Sequence, residues 1–227
     1  MEKKESPKKA NELKLKPEGK GAGKPSWISN KVFDIIKLIL GICLLPFAYS
    51  CTAAFLKQVT FIDSSLQNYF WSGVITFLLV YLFIWEMGWV YERGHKLLEL
   101  VFSFFQPFVR VAPYLLPIYT IVIFIIYLIL AAFIKEVWLA NYTMFLLGFS
   151  IILHLVFSSK AVRSKKGDIL KSNYIFGFSF IYIINLGALA LFLNIILKDF
   201  SFVSFCNSVN SIAGGIFHAI FSQFFVV

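Results

Sequence analysis

His95 and Glu99 stand four residues apart in Tyr91-Glu92-Arg93-Gly94-His95-Lys96-Leu97-Leu98-Glu99. On a helix that spacing puts an imidazole and a carboxylate one turn apart on one face, two groups able to ligate a metal ion. Glu86 and Glu92 precede them, and His154 follows in a later apolar block. Side chains of these types do general acid–base work or hold metal when helices bring them together. Glu86, in Trp85-Glu86-Met87-Gly88-Trp89, and His154 are also polar groups within apolar runs, where charge is costly and rare. Their plainest states are a carboxyl reaching the interface between two tryptophans and a neutral imidazole hydrogen-bonded inside a helix bundle.

Residues 92–106 carry Glu92, His95, Lys96, Glu99, Ser103 and Gln106 at intervals mostly of three or four, with Leu97, Leu98, Leu100, Val101 and Phe102 between them. That periodicity predicts an amphipathic helix near 92–106, ended or kinked at Pro107. Its polar stripe either faces water in the membrane interface or turns towards the bundle, where it would present His95 and Glu99 inward.

The elements that must position these groups are membrane spans. Of 227 residues, 59% are hydrophobic and 15% charged, and 27 Phe outnumber 12 acidic side chains. A soluble domain usually carries roughly 25% charged residues. A water-soluble globular protein is thereby excluded, and the fold class expected is all-α, a polytopic transmembrane helix bundle. Apolar blocks long enough to cross about 30 Å of hydrocarbon lie near 33–56, 69–91, 113–134, 142–158 and 174–197, with a possible sixth at 202–225 that either spans or dips back. The runs are continuously apolar and lack the alternation of a transmembrane β-barrel.

Charge sets the orientation. Lys and Arg number nine in 1–32, one in 57–68, three in 92–112, one at Lys135, five in 159–173 and one at Lys198. This alternation places the N-terminus and the 92–112 and 159–173 connections in the cytoplasm. The remaining cation, Lys37, is expected to snorkel towards the tail. Residues 1–30, with eight Lys and four Glu, read as a disordered cytoplasmic tail attracted to anionic lipid, and 31–227 as the transmembrane domain. The net charge of +9 therefore reports topology and implies no nucleic-acid partner. The external loops are too short to hold a domain, so a partner is met in the bilayer, at the cytoplasmic interface or through the tail.

Several further positions bear on packing. Pro113 suits the first turn of the third span, while Pro117 frees a backbone carbonyl one turn earlier that a neighbouring helix must satisfy. Asn185 and Asn194 are placed to hydrogen-bond between helices, and Ser211, Gly215 and Ala219 form a small-residue face for close helix contact. His218 beside them is expected against a neighbouring helix, and Cys43, Cys51 and Cys206 as buried thiols, without a disulfide framework or thiolate metal site.

The order of the 91–99 segment, then Ala112-Pro113-Tyr114-Leu115-Leu116-Pro117-Ile118-Tyr119-Thr120, then Phe145-Leu146-Leu147-Gly148-Phe149-Ser150-Ile151-Ile152-Leu153-His154-Leu155, resembles bacterial multi-pass membrane proteins related to the site-2-protease-like zinc metallopeptidases. The resemblance covers about residues 70–197. In that family a Gly-His-Glu-x-x-His helix supplies two zinc-binding histidines and a glutamate base. Carried over, His95 takes the first histidine position, Lys96 replaces the glutamate and Glu99 replaces the second histidine. A cation at 96 is no base at neutral pH, so the resemblance implies lost proteolysis. Zinc on His95, Glu99 and His154, with Glu92 or Glu86 as substitute base, is the form in which activity would survive.

The resulting expectation is a non-catalytic, degenerate relative of membrane metallopeptidases that binds a membrane partner, with no catalytic residue and no resident cofactor assigned. The alternatives are a divergent zinc-dependent intramembrane peptidase and a small transporter or ion pathway through Glu86 and His154.

Overall fold

The protein is described here by a computed structural model covering residues 27–83, 88–103, 112–134, 136–164 and 174–224. Glu86, the tail residues 1–26, Pro107 and the 165–173 connection fall outside the described residues. The described chain is helical, without strands: α1 Trp27–Val59, α2 Ser64–Phe83, α3 Gly88–Val101, α4 Ile118–Phe133, α5 Val137–Ser164, α6 Tyr174–Ile196 and α7 Phe202–Phe224. A further helical turn covers 112–115.

Stretches of α1, α2, α5 and α6 are long and apolar enough to cross a membrane, and α4 is apolar but shorter. The bundle's outer surface has the composition this requires. Ile35, Ile39, Leu79, Leu82, Phe83, Ile129 and Phe133 are all exposed. So large an apolar surface suits lipid and not water.

Two helices form the centre. α5 packs against α2, α4 and α6, while α6 packs against α1 and α7. Their facing sides share one apolar core, in which Met144, Leu147 and Ile151 of α5 meet Leu186, Leu189, Ala190 and Leu193 of α6, flanked by Phe55, Phe70 and Phe205. Because hydrocarbon gives helices little hydrophobic drive to associate, contact rests on close packing and interhelical hydrogen bonds. Glycines provide the first. A Cβ at Gly73 would lie 2.0 Å from the Phe145 carbonyl oxygen, and one at Gly148 would lie 2.2 Å from that of Phe70, so α2 and α5 cross with their backbones in contact. Hydroxyl and amide groups provide the second, with Thr52 Oγ1 bonded to the Tyr182 hydroxyl at 2.8 Å, Thr120 Oγ1 to Ser150 Oγ at 3.0 Å, and Gln58 Nε2 donating to Ser204 Oγ at 2.9 Å.

The helices depart from the expected spans for local reasons. The block 142–158 belongs to a 28-residue helix, α5, because Asn141, Ser159, Lys160 and Arg163 continue it beyond its apolar centre. Conversely, the block 113–134 is broken at Leu116–Pro117 into the turn at 112–115 and the 16-residue α4, since Pro117 has no N–H to continue the ladder. α2 starts at Ser64, where Asp63 Oδ1 accepts the Ser65 N–H at 2.8 Å. The segment 202–225 forms one continuous helix, α7, over Phe202–Phe224 and does not fold back. Asn194 Oδ1 accepts its first N–H, that of Phe202, at 2.9 Å, and so links α6 to α7 through the cap. Lys37 lies back over the Phe33 ring at 4.4 Å, one turn towards the N-terminus.

Three expectations of burial are corrected. Cys43 and Cys206 are exposed and only Cys51 is buried. His218 faces outward, and the Ser211, Gly215 and Ala219 face is exposed, with open space where a Gly215 side chain would be.

Candidate functional site

The site is built by the proline segment. Breaking the helix at 116–117 leaves carbonyls at 114 and 115 that no continuing turn covers, and in an apolar surrounding each needs a donor. His154 Nε2 donates to the Tyr114 carbonyl at 3.1 Å, and Asn185 Nδ2 donates to the Leu115 carbonyl at 2.9 Å. Both donors are buried, Asn185 completely. The carbonyls that neighbouring helices serve are those of Tyr114 and Leu115, whereas the expectation fell on Pro113, one turn before Pro117.

His154 is tied further into α5 and α3. Its Nε2 lies 3.1 Å from Ser158 Oγ one turn on, and that oxygen lies 3.1 Å from the Tyr91 hydroxyl of α3. Tyr91 also stacks on Phe157 at 5.6 Å between ring centroids, while His95 meets the Tyr114 ring edge-on at 4.8 Å. The proline turn, α3 and the end of α5 thus close on one another through aromatic rings and one hydroxyl chain.

α3 is held there by Gly94. Its missing side chain admits Tyr119 and Ile118 of α4, whose carbons would lie 2.9 Å and 2.7 Å from a Cβ, and the Tyr119 hydroxyl donates to the Val90 carbonyl. At 100° per residue the helix has three sectors. Gly94 and Leu98 are buried against the bundle, the second sector exposes Trp89, Leu97 and Leu100 with Arg93 among them, and the third sector carries Glu92, His95, Lys96 and Glu99. Neither orientation expected of the polar stripe describes it fully, because the stripe forms one wall of a cavity of about 470 Å³. Tyr114, Phe157 and Lys160 supply the opposite walls.

The candidate residues are accordingly distributed in three ways. His95 Nε2 and Glu99 Oε1 face each other at 3.5 Å on the cavity wall, with His95 mostly buried and Glu99 half exposed. Glu92 lines the same cavity. His154 lies behind Tyr91 and Tyr114 and does not line it. A carbonyl oxygen only accepts, so the Nε2 that meets it is engaged as a donor to the backbone. Among the described residues no three His, Cys, Asp or Glu side chains are grouped to share an ion. In this arrangement the set His95, Glu99 and His154 does not fit zinc, which takes three or four ligands converging on one point. His95 and Glu99 remain a two-ligand face.

Tyr91, Ser158, Lys160, Tyr114 and Phe157 were not singled out as site residues from sequence. Two carried a usable signal: Tyr91 precedes His95 by one turn and Ser158 follows His154 by one turn, so each shares a helix face with a candidate. Lys160 carried none, because it counts among the cations that end a span.

No protein-family model, no curated protein and no solved structure matches this chain. The fold and site define a class, a helical integral-membrane protein with a mixed-charge cavity under a broken helix.

Proposed function

We propose that this protein is a non-catalytic membrane protein, a degenerate relative of the membrane metallopeptidases, which binds a membrane-borne partner at the cavity beside α3. The observation that carries the reading is the use made of the motif positions. Lys96 and Glu99 stand on a cavity wall opposite Lys160, and His154 serves to satisfy the broken helix. A site that has exchanged a base for a cation, and a ligand for a structural donor, retains recognition without hydrolytic machinery. The exposed Trp89, Leu97 and Leu100 set α3 in the interfacial zone, where a partner embedded in the bilayer reaches the cavity sideways. By the alternation of basic connections this zone is the cytoplasmic one, in a bacterial inner membrane, with the Lys-rich tail on the same side.

The test is metal content together with proteolysis. Full-length protein purified without chelators is expected to carry well under one zinc per chain and to leave membrane-spanning peptides uncut, in wild type and His95→Ala alike. Near-stoichiometric zinc, lost with cleavage activity in His95→Ala, would establish the divergent peptidase instead.

A further inference from the structure

The cavity beside α3 is balanced in charge, and this restricts what it takes. Glu92 and Glu99 stand on the α3 wall with Lys96 between them, and Lys160 stands across from them on α5. Lys160 is fixed in place, its ammonium 4.7 Å from the Tyr81 ring centroid and 5.5 Å from that of Phe157. A ligand of one sign gains from one pair of side chains and is opposed by the other. A ligand carrying both charges a few ångströms apart gains from both pairs. Along the helix Glu92, Lys96 and Glu99 are about 6 Å and about 4.5 Å apart at 1.5 Å per residue, so the alternating signs repeat on the scale of one small zwitterion. The volume of about 470 Å³ leaves room for such a group.

The position of the cavity adds the second restriction. One sector of α3 exposes Trp89, Leu97 and Leu100 around Arg93, whose guanidinium lies 4.9 Å from the Trp89 ring centroid, and the next sector of the same helix is the charged cavity wall. A ligand spanning these sectors has an acyl body and a polar head. We infer that the cavity binds the headgroup of a zwitterionic phospholipid, with its phosphate at Lys96 and Lys160 and its primary ammonium at Glu92 and Glu99. The acyl chains lie outside, along the Trp89, Leu97 and Leu100 sector of α3. This assignment rests on the non-catalytic binding reading above and names the ligand class for that site. His95, held 3.5 Å from Glu99, orients that carboxylate.

The experiment titrates full-length protein in detergent with dihexanoyl phospholipids that differ only in headgroup, reading intrinsic tryptophan fluorescence and the thermal unfolding midpoint. The phosphoethanolamine lipid is expected to half-saturate at a concentration about ten-fold below the phosphoglycerol lipid, a difference of about 1.4 kcal/mol. Phosphocholine, whose quaternary ammonium donates no hydrogen bond to a carboxylate, is expected to bind more weakly than phosphoethanolamine. The paired change Glu92→Gln with Glu99→Gln leaves two cations and is expected to reverse the order in favour of phosphoglycerol, a gain that a misfolded variant could not produce. Lys96→Gln with Lys160→Gln is expected to remove binding of both. Equal binding of all headgroups, or an unaltered order in the Glu92→Gln and Glu99→Gln protein, would overturn the assignment. So would soluble glycerophosphoethanolamine binding as tightly as the lipid. Loss of headgroup discrimination leaves the non-catalytic reading standing, whereas zinc-dependent cleavage removes that reading by a separate measurement.

Discussion

At the scale of the residue, two buried polar side chains beside the proline segment act on the backbone. His154 and Asn185 donate to the carbonyls of Tyr114 and Leu115, which the break at Pro117 strips of helical partners. Removing a buried donor leaves the acceptor desolvated, at a cost of about 1–3 kcal/mol. His154→Ala and Asn185→Ala are each expected to destabilise the bundle by that amount in a graded sodium dodecyl sulfate titration followed by circular dichroism. Glu92→Ala, on an exposed wall, should stay within about 0.5 kcal/mol of wild type in the same titration. An unchanged midpoint for both His154→Ala and Asn185→Ala would remove their part in holding the turn. The need for a donor opposite Pro117 could be read from the residue type, because a proline lacks an N–H wherever it occurs. The identity of the donors could not, since His154 and Asn185 come from helices about 40 and 70 residues further along the chain and only packing chooses among the polar groups available.

At the scale of the element, the crossing of α2 and α5 depends on the two glycines that let their backbones touch. At Gly73 and Gly148 the obstruction to any added carbon is a backbone oxygen, at 2.0 Å and 2.2 Å, and backbone yields far less than the end of a side chain. Gly73→Ala and Gly148→Ala are expected to cost about 3 kcal/mol or more, at the upper end of overpacking penalties. Gly187→Ala meets nothing within 4 Å. It should be neutral or gain about 0.5–1 kcal/mol from helix propensity. The comparison is made by unfolding midpoint and by the fraction of protein recovered folded in detergent; equal behaviour of the three variants would refute the close crossing. Periodicity made α3 legible as an amphipathic helix, and its three-sector division follows from 100° per residue. Its cavity wall was not legible, because Lys160, Phe157 and Tyr114 belong to other elements, and no spacing along α3 refers to them.

At the scale of the whole molecule, apolar surface and charge asymmetry together describe a chain threaded back and forth through a bilayer. The positive-inside rule predicts an orientation with the N-terminus and the connection after α5 in the cytoplasm, which thiol labelling tests. In a background lacking Cys43, Cys51 and Cys206, a cysteine at Ser164 is expected to be shielded from an impermeant thiol reagent in intact cells and labelled after lysis. A cysteine at Asp63, in the connection between α1 and α2, should label in intact cells. The opposite pattern would invert the topology. Composition excluded a water-soluble domain, at 59% hydrophobic and 15% charged residues, and the continuous apolar runs made the spans helical. The existence of the apolar blocks and the one-turn spacing of His95 and Glu99 were likewise readable, being local in the chain, but their bounds were not: the block at 69–91 is divided between α2, which ends at Phe83, and α3, which starts at Gly88. Tertiary structure alone decided that His154 supports the broken helix, that Gly73 and Gly148 meet across α2 and α5, and that Lys160 faces Glu92 and Glu99 across one cavity. The reason is physical: lipid is as apolar as the helix sides it contacts, so burial from water does not select which faces pair, and the choice falls to close packing and to polar bonds between distant residues.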